Sequence, residues 1–295
     1  MMDTRHCQAF LAAAETGSFE LAAAQLSITP SAISQRIAAL ETALGSPLLV
    51  RSRPCRTTAA GQRLLVHLRR SRLMEEEFLA GLHDEPAPLR VPIAVNNDTL
   101  DTWLLPGIAD FLQRERLTLD IVLDEQNYTY ALLEKGEAVA GVSSEAKVMR
   151  GCVVQPLGVM RYRMLASPAF AARWFPRGFE RAAALQAPVL VFSRKDRLQS
   201  DFIQAELGLM PGSYPMHHVP ASAAFLDAVK LGLGYGMVPV EQYGSALETG
   251  ELIDLVPGKF TDVPLYWHAW RVQSPALERL GQAVVAAARR SLLPP

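Results

Sequence analysis

Cysteine is scarce in this chain: Cys7, Cys55 and Cys152 are odd in number, far apart and alone among 295 residues. That usage argues against a disulfide framework, and none of the three has a neighbour at zinc-ligand spacing. Cys7 reads as a buried helix residue. Cys55 lies near Arg53 and Arg56, basic neighbours of the kind that favour a thiolate. Lysine is missing from residues 1–72, which hold nine arginines against only Asp3, Glu15, Glu20 and Glu41. This local excess of positive charge stands in a chain whose net charge is −1, and a basic segment concentrated in one place suits contact with phosphates. No apolar run is long enough to span a membrane. The start of the chain has an amphipathic pattern rather than a basic leader and apolar core, so the expected location is the cytoplasm, with no membrane partner. Nor is there a nucleophile elbow, a Walker loop or an HExxH pair, so neither an enzyme nor a bound cofactor or metal is expected. Gly232, Gly234 and Gly236 do not have dinucleotide-loop spacing and read as turn glycines. His217 and His218 are adjacent and would point to opposite faces of a strand, while Trp267, His268 and Trp270 read as packing residues.

What is present is organised around residues 18–45. In FELAAAQL, Phe19, Ala22, Ala23 and Leu26 form one apolar helical face, with Ser18 as N-cap. SITP follows as a turn in which Thr29 can cap the next helix and Pro30 occupies its first position. In SAISQRIAALETALG, the residues Ile33, Ile37, Leu40 and Leu44 make a buried face, and Gly45 is the expected stop. The opposite face carries Ser31, Ser34, Gln35 and Arg36: short hydroxyls, an amide that can pair with a base edge, and a phosphate-seeking guanidinium. These suit a recognition helix in a major groove. Packed, non-binding helices are the alternative. SPLLVRSRPCRT alternates apolar and basic residues before Pro54, as a short β-wing would, placing Arg51, Arg53 and Arg56 near the DNA backbone.

The strings TPSAISQRIAALE and GSPLLVRSRPCRTTAAGQRLL resemble the winged helix-turn-helix of the LysR-type transcriptional regulators, more narrowly the ArgP/LysG group of arginine and lysine exporter regulators. That resemblance implies an N-terminal all-α winged helix-turn-helix with a linker helix. It also implies a C-terminal α/β, two-lobed effector domain like periplasmic solute-binding proteins.

The rest of the chain accommodates such a plan. Residues 3–16 read as a first helix with Phe10 and Leu11 inward and a stop at Gly17. Thr58 to about Leu82 reads as a long helix whose seam of Leu64, Leu68, Ser71, Glu75, Phe78 and Leu82 suits a two-stranded pairing. Packing on its own domain is the alternative. Glu75, Glu76 and Glu77 read as a solvated face, and HDEPAPL as a hinge. Beyond it, LRVPIAV, LTLDIVLD and AVAGV read as strands between the helices LDTWLLPGIADFL and YALLEKGE. A second set begins near Arg161: APVLVF, LQSDFIQAEL, MHHV, SAAFLDAVKLG and YGMVP, then the strand PLYWHAWRV and the helix PALERLGQAVVAAARRSLL. The alternation predicts parallel sheets covered on both faces. The expected domains are 1–58 (winged helix-turn-helix), 59–88 (dimer helix and hinge) and 89–295 (effector domain). Within the last, lobe I covers about 89–160 and 265–295, and lobe II about 161–264.

Ligands of open α/β sheets sit beyond strand carboxyl ends, near free helix N–H groups. That rule names Asn96, Asn97, Asp98 and Thr99; Asp124 and Glu125; Ser143 and Ser144; Phe192, Ser193 and Asp196; and Ala221 and Ser222. Hydroxyls and helix starts suit a carboxylate, and the acidic groups suit a cation. An amino acid with a basic side chain meets both demands, although such residues are also common turn formers. NNDTLDTWLLP, PGSYP, GELIDLVPG and LYWH extend the ArgP/LysG resemblance through this half, with Asn96, Asp98, Thr99, Asp124, Glu125 and Asp196 at similar positions. Asn97 and Ser193 depart from that pattern, so lysine and arginine both stay open. The expected function is a regulator that binds a double-stranded operator as a homodimer or homotetramer, with RNA polymerase as a further partner, and senses L-lysine or L-arginine; the resemblance implies a basic amino-acid exporter gene as its target. The competing readings are a regulator with another effector such as an aromatic acid, an effector-independent architectural DNA-binding protein, and an α/β solute-binding protein or enzyme.

Overall fold

The computed structural model describes residues 2–50, 52–80, 82, 88–115, 117–123 and 129–295. They form two compact units, one made of Met1–Leu89 with Leu132–Glu137 and the other of Arg90–Ala131 with Ala138–Pro295.

The first unit opens with α1 (Thr4–Thr16), whose N-cap Asp3 accepts the Arg5 and His6 N–H groups at 2.8 and 3.2 Å. The helix closes at Gly17 in the left-handed conformation. Ser18 caps α2 (Phe19–Gln25), and Thr29 Oγ1 accepts the Ala32 N–H to cap α3 (Pro30–Leu44), where Pro30 sits in the first turn. Gly45 ends α3 with φ 66°. Between α2 and α3 the chain turns through Ser27 at φ 54°, the single positive-φ residue other than glycine among the described residues. A side chain there costs on the order of 1 kcal/mol, which surrounding contacts must offset. Phe10, Ala13, Ala22, Ala23, Ile33, Ile37 and Leu40 form the core; alanines at the crossings let the helices approach closely. Leu44, expected on the buried face, is 41% exposed because the last turn of α3 extends past that core.

A two-stranded antiparallel ribbon follows, β1 (Leu49–Val50) with β2 (Arg56–Thr57). Glu41 anchors it by accepting the Leu48 and Leu49 N–H groups at 2.7 and 3.3 Å. The chain then enters α4 (Ala59–Ala80). Gly61 is required there: a Cβ would run into the Leu48 carbonyl. Leu64 and Leu65 complete the core and Leu68 packs at its edge, so the first part of the expected seam is spent on the chain's own domain. Farther along, Phe78 and Leu82 are 66% and 64% exposed, beside exposed Met74 and Leu79. Glu15 of α1 holds Arg69 and Arg72 of α4 at 3.2 and 3.5 Å. The hinge segment HDEPAPL lies outside the described residues except for Pro88 and Leu89.

The second unit contains β3 (Leu89–Val95), the short α5 (Asn97–Thr99), a π-helical turn (Leu100–Leu104), α6 (Leu105–Arg114), β4 (Leu117–Leu123), α7 (Thr129–Glu134, shared with the first unit) and β5 (Ala140–Ser143). β6 (Cys152–Ala166), α8 (Pro168–Trp174), α9 (Arg181–Ala184), β7 (Val189–Val191), α10 (Leu198–Leu207), β8 (Met216–His218) and α11 (Ser222–Lys230) follow. The chain ends through β9 (Gly236–Pro239), α12 (Val240–Tyr243), β10 (Ile253–Asp254), β11 (Thr261–Trp270) and α13 (Pro275–Ser291).

Seven of these strands form one sheet in the order β10-β6-β11-β5-β3-β4, with β9 also on β6. β3 and β5 are parallel, whereas β11 runs antiparallel to both β5 and β6, and β6 antiparallel to β9. β7 and β8 are parallel, and Val189 bridges to Tyr235 at the start of β9. The expected set of purely parallel sheets is therefore corrected: one mixed sheet is held together by two long antiparallel strands. β6 was not read as a strand from the sequence at all, since Pro156 and Gly158 look like a break there. They lie instead at a register shift, where Gly158 pairs Leu265 and Pro156 pairs Tyr266. A Cβ on Gly158 would meet the Leu293 carbonyl and Leu292 Cβ at 2.6 and 2.8 Å.

Candidate functional site

The first site is the outer face of α3. Thr29, Pro30, Ser31 and Gln35 are exposed, and Ser34 and Arg36 half-buried. Thr29 already spends its hydroxyl as the cap. Arg53 and Arg56 are exposed on the ribbon, and Arg51 lies outside the described residues. A recess lined by Ser18, Glu20, Ser34, Arg53, Pro54 and neighbouring residues places Ser34 and the ribbon loop on one side of the unit. Cys55 is buried against this recess, with its thiol donating to the Ala13 carbonyl at 3.2 Å. Burial pushes its pKa up, so the thiolate-favouring setting suggested by the nearby arginines is corrected.

The second site is a cavity in the other unit, about 530 Å³ including its opening to solvent. Asn96, Asn97 and Asp98 enter it from the end of β3, Phe192 and Asp196 from the loop after β7, and Leu198 and Gln199 from the start of α10. Tyr162, Phe225, Met237, Pro239 and Gln242 complete its lining. Asn96 Oδ1 caps α5 by accepting the Thr99 N–H at 3.3 Å, which turns Asp98 inward. Asp98 then joins parts of the chain far apart in sequence: Ser222 Oγ donates to its Oδ1 at 2.6 Å and the Tyr162 hydroxyl to its Oδ2 at 2.8 Å. Burial raises the Asp98 pKa, and the two hydroxyls pull it partly back. Burial, then the Asp98 charge, raise Tyr162 well above its ordinary value, so that it remains a donor.

Asp196 is held differently. Its Oδ2 accepts the Phe192 N–H at 3.0 Å and its Oδ1 the Leu198 N–H at 2.9 Å, and the Gln199 side chain, which faces it, helps to hold its pKa down. Burial raises its pKa against those two bonds and the Gln199 side chain. Glu241 of α12 is a third carboxylate shifted upward, by burial first and then by the charge of Asp98, and its Oε2 is buried without a partner among the described residues. Among the described residues no Lys, Arg or His lines the cavity, and none pairs with Asp98, Asp196 or Glu241. Three carboxylates near one cavity with no cation is an unstable distribution of charge unless protons or a cationic ligand compensate it.

Of the residues named from sequence, Asn96, Asn97, Asp98, Phe192 and Asp196 line the cavity, and Ser222 reaches it through Asp98. Thr99 is fully buried behind it. Ser143 accepts the Glu145 N–H in a turn, and neither it nor Ser144 is in the lining. Asp124 and Glu125 lie outside the described residues. Tyr162, Gln199, Glu241 and Gln242 were missed. The strand-end rule would have found Glu241 and Gln242 had it been applied after β9; Tyr162 lies within β6 and carries no such signal.

A DNA-reading head joined to an acidic ligand-sized cavity defines a ligand-responsive regulator. The family model described as "Bacterial regulatory helix-turn-helix protein, lysR family" matches residues 4–62, and the one for the "LysR substrate binding domain" matches residues 84–289. The chain belongs to the LysR family of transcriptional regulators. It is 41% identical to the HTH-type transcriptional regulator ArgP of Aeromonas salmonicida over 279 residues, 94% of this chain and 93% of that protein. Among solved structures, ArgP from Mycobacterium tuberculosis superposes with a TM-score of 0.89 at 37% identity, covering 100% of both chains. Full-length LysG from Corynebacterium glutamicum with bound effector Arg gives a TM-score of 0.84 at 34% identity, covering 99% of this chain and 100% of that one.

Proposed function

We propose that this protein is a cytoplasmic transcriptional regulator that senses L-lysine or L-arginine and controls a basic amino-acid exporter gene. The observation that carries the effector class is the cavity itself: Asp98, Asp196 and Glu241 are gathered with raised pKa values and no cation among the described residues to offset them. A basic amino acid supplies that positive charge, and Phe192, Leu198, Phe225 and Met237 offer apolar surface for its aliphatic stem. The Arg bound to LysG, a protein 34% identical over nearly all of this chain, supports the same class. An aromatic acid would bring a further negative charge into an acidic cavity.

In this reading α3 enters the major groove through Ser31, Ser34, Gln35 and Arg36, with the ribbon as a wing whose Arg51, Arg53 and Arg56 touch phosphates. The exposed Met74, Phe78 and Leu79 of α4, with Leu82 just beyond it, pair with a second copy, since one helix-turn-helix reads only a half-site. The two walls of the cavity are lobes I and II of a periplasmic-binding-protein-like domain, joined by Asp98 on one and Ser222 on the other. Effector binding changes lobe closure and so dimer packing on DNA; a coupling of about 1–3 kcal/mol shifts occupancy severalfold or more.

Calorimetric titration with L-lysine, L-arginine, L-norleucine and benzoate tests this. Saturable binding of lysine or arginine but not norleucine or benzoate is expected. Binding of benzoate, or of none of the four, overturns the basic-effector reading and leaves the DNA-binding one standing.

A further inference from the structure

Gln199 is a polar residue in an unusual position. It lies in the first turn of α10, where a glutamine ordinarily faces solvent, yet it is only 3% exposed and lines the effector cavity. Its side chain faces Asp196, whose pKa it lowers. An ionised carboxylate only accepts hydrogen bonds, so the amide must present its Nε2 donor to Asp196, which fixes the orientation of the group. The Oε1 acceptor is then left buried without a partner among the described residues. A buried acceptor that gives up water and gains nothing is costly, and such atoms in native proteins are usually completed by a ligand or water.

The chemistry of the missing donor follows from the surroundings. A carboxylate or carbonyl oxygen of a ligand would be repelled by Oε1, so the partner must carry N–H or O–H. Asp196 is occupied by the Phe192 and Leu198 N–H groups and faced by Gln199, so it contributes field more than free lone pairs. Phe192 and Leu198 beside Gln199 form an apolar wall suited to methylene groups. Asp98, with Asn96 and Ser222, forms a separate polar cluster suited to an α-ammonium and α-carboxylate.

Building on the basic-effector reading, we propose that Gln199 Oε1 is a direct, specificity-determining acceptor for the terminal N–H of the effector's side chain. Asp196 then acts as the positioning residue that holds the Gln199 amide.

The test uses the full-length protein and compares Gln199→Leu with Gln199→Glu by calorimetric titration of L-arginine and L-lysine, after a thermal melt of each variant. Both substitutions remove the donor to Asp196, but only leucine removes the acceptor. Wild type is expected to bind at least one basic amino acid, with Gln199→Leu weakened at least tenfold for it and Gln199→Glu within about threefold of wild type or tighter. Equal losses in the two variants would show that Gln199 only props Asp196 and would overturn the proposal while leaving the basic-effector reading intact, as would leucine binding within twofold of wild type. A wild type that binds no basic amino acid removes both.

Discussion

Replacing Asp98 with asparagine separates ligand recognition from stability, because the two should move in opposite directions. In the free protein Asp98 is a carboxylate with a raised pKa, buried between the Ser222 and Tyr162 hydroxyls and facing no cation. Asparagine keeps the size. Its carbonyl can accept from one hydroxyl, and the other can rotate to accept from its amide. The variant therefore loses a charge that the unliganded fold bears at a cost, and its melting temperature should rise or stay level. Binding should suffer, since exchanging a charge-assisted hydrogen bond for a neutral one costs about 1–2 kcal/mol, or roughly 5- to 30-fold in affinity. Differential scanning calorimetry reads both effects. With arginine at 100 times the wild-type Kd, linkage adds about 2.7 kcal/mol to the wild type, roughly 5–10 °C for a unit of this size. A 30-fold weaker variant at the same concentration gains only about 0.9 kcal/mol, or roughly 2–3 °C. An Asp98→Asn protein that melts several degrees lower without ligand, yet keeps the full arginine shift, would refute the account of Asp98 as an uncompensated charge awaiting a cation.

Three further outcomes follow from the same structure. Asp98, Asp196 and Glu241 all have pKa values raised in the free protein. Below those values they are protonated, which favours the free fold and opposes a cation. Arginine affinity measured between pH 7.5 and 5 should accordingly fall as the pH falls, and a flat profile would contradict the role of these groups. Ser27→Gly should stabilise the DNA-binding unit by about 0.5–1 kcal/mol in urea denaturation, because glycine adopts the positive φ of that turn without strain. Arg36→Ala should weaken operator binding and reduce the slope of log K against log salt by about one, measured by fluorescence anisotropy; an unchanged slope would mean that Arg36 touches no phosphate.

The helix-turn-helix was legible because its signals are local. Asp3, Ser18 and Thr29 cap their helices through bonds spanning two or three residues, and Gly17 and Gly45 end them. The sheet was less legible because its order depends on strands that are distant in sequence. Nothing near residues 152–160 announces that they will pair with 263–270, and Pro156 with Gly158 conceals a strand that tolerates both at a register shift. The cavity falls between these cases. Strand ends named Asp98 and Ser222 separately, but not the 2.6 Å bond that makes them one feature. Gln199 was hidden because a glutamine near a helix start looks like solvent-facing surface until the fold buries it.

β11 has a consequence for chains that end early. All the residues lining the cavity precede residue 243, yet the strand joining β5 to β6 comes only at residues 261–270 and α13 follows it. A stop codon or frameshift in the last stretch of the gene would therefore remove no lining residue and still split the sheet that brings them together, leaving exposed strand edges on both pieces. The head, whose core is completed by Leu64 and Leu65 of α4, would keep all of its residues. Such an allele would encode a DNA binder with no working sensor, a defect in hearing rather than in grip.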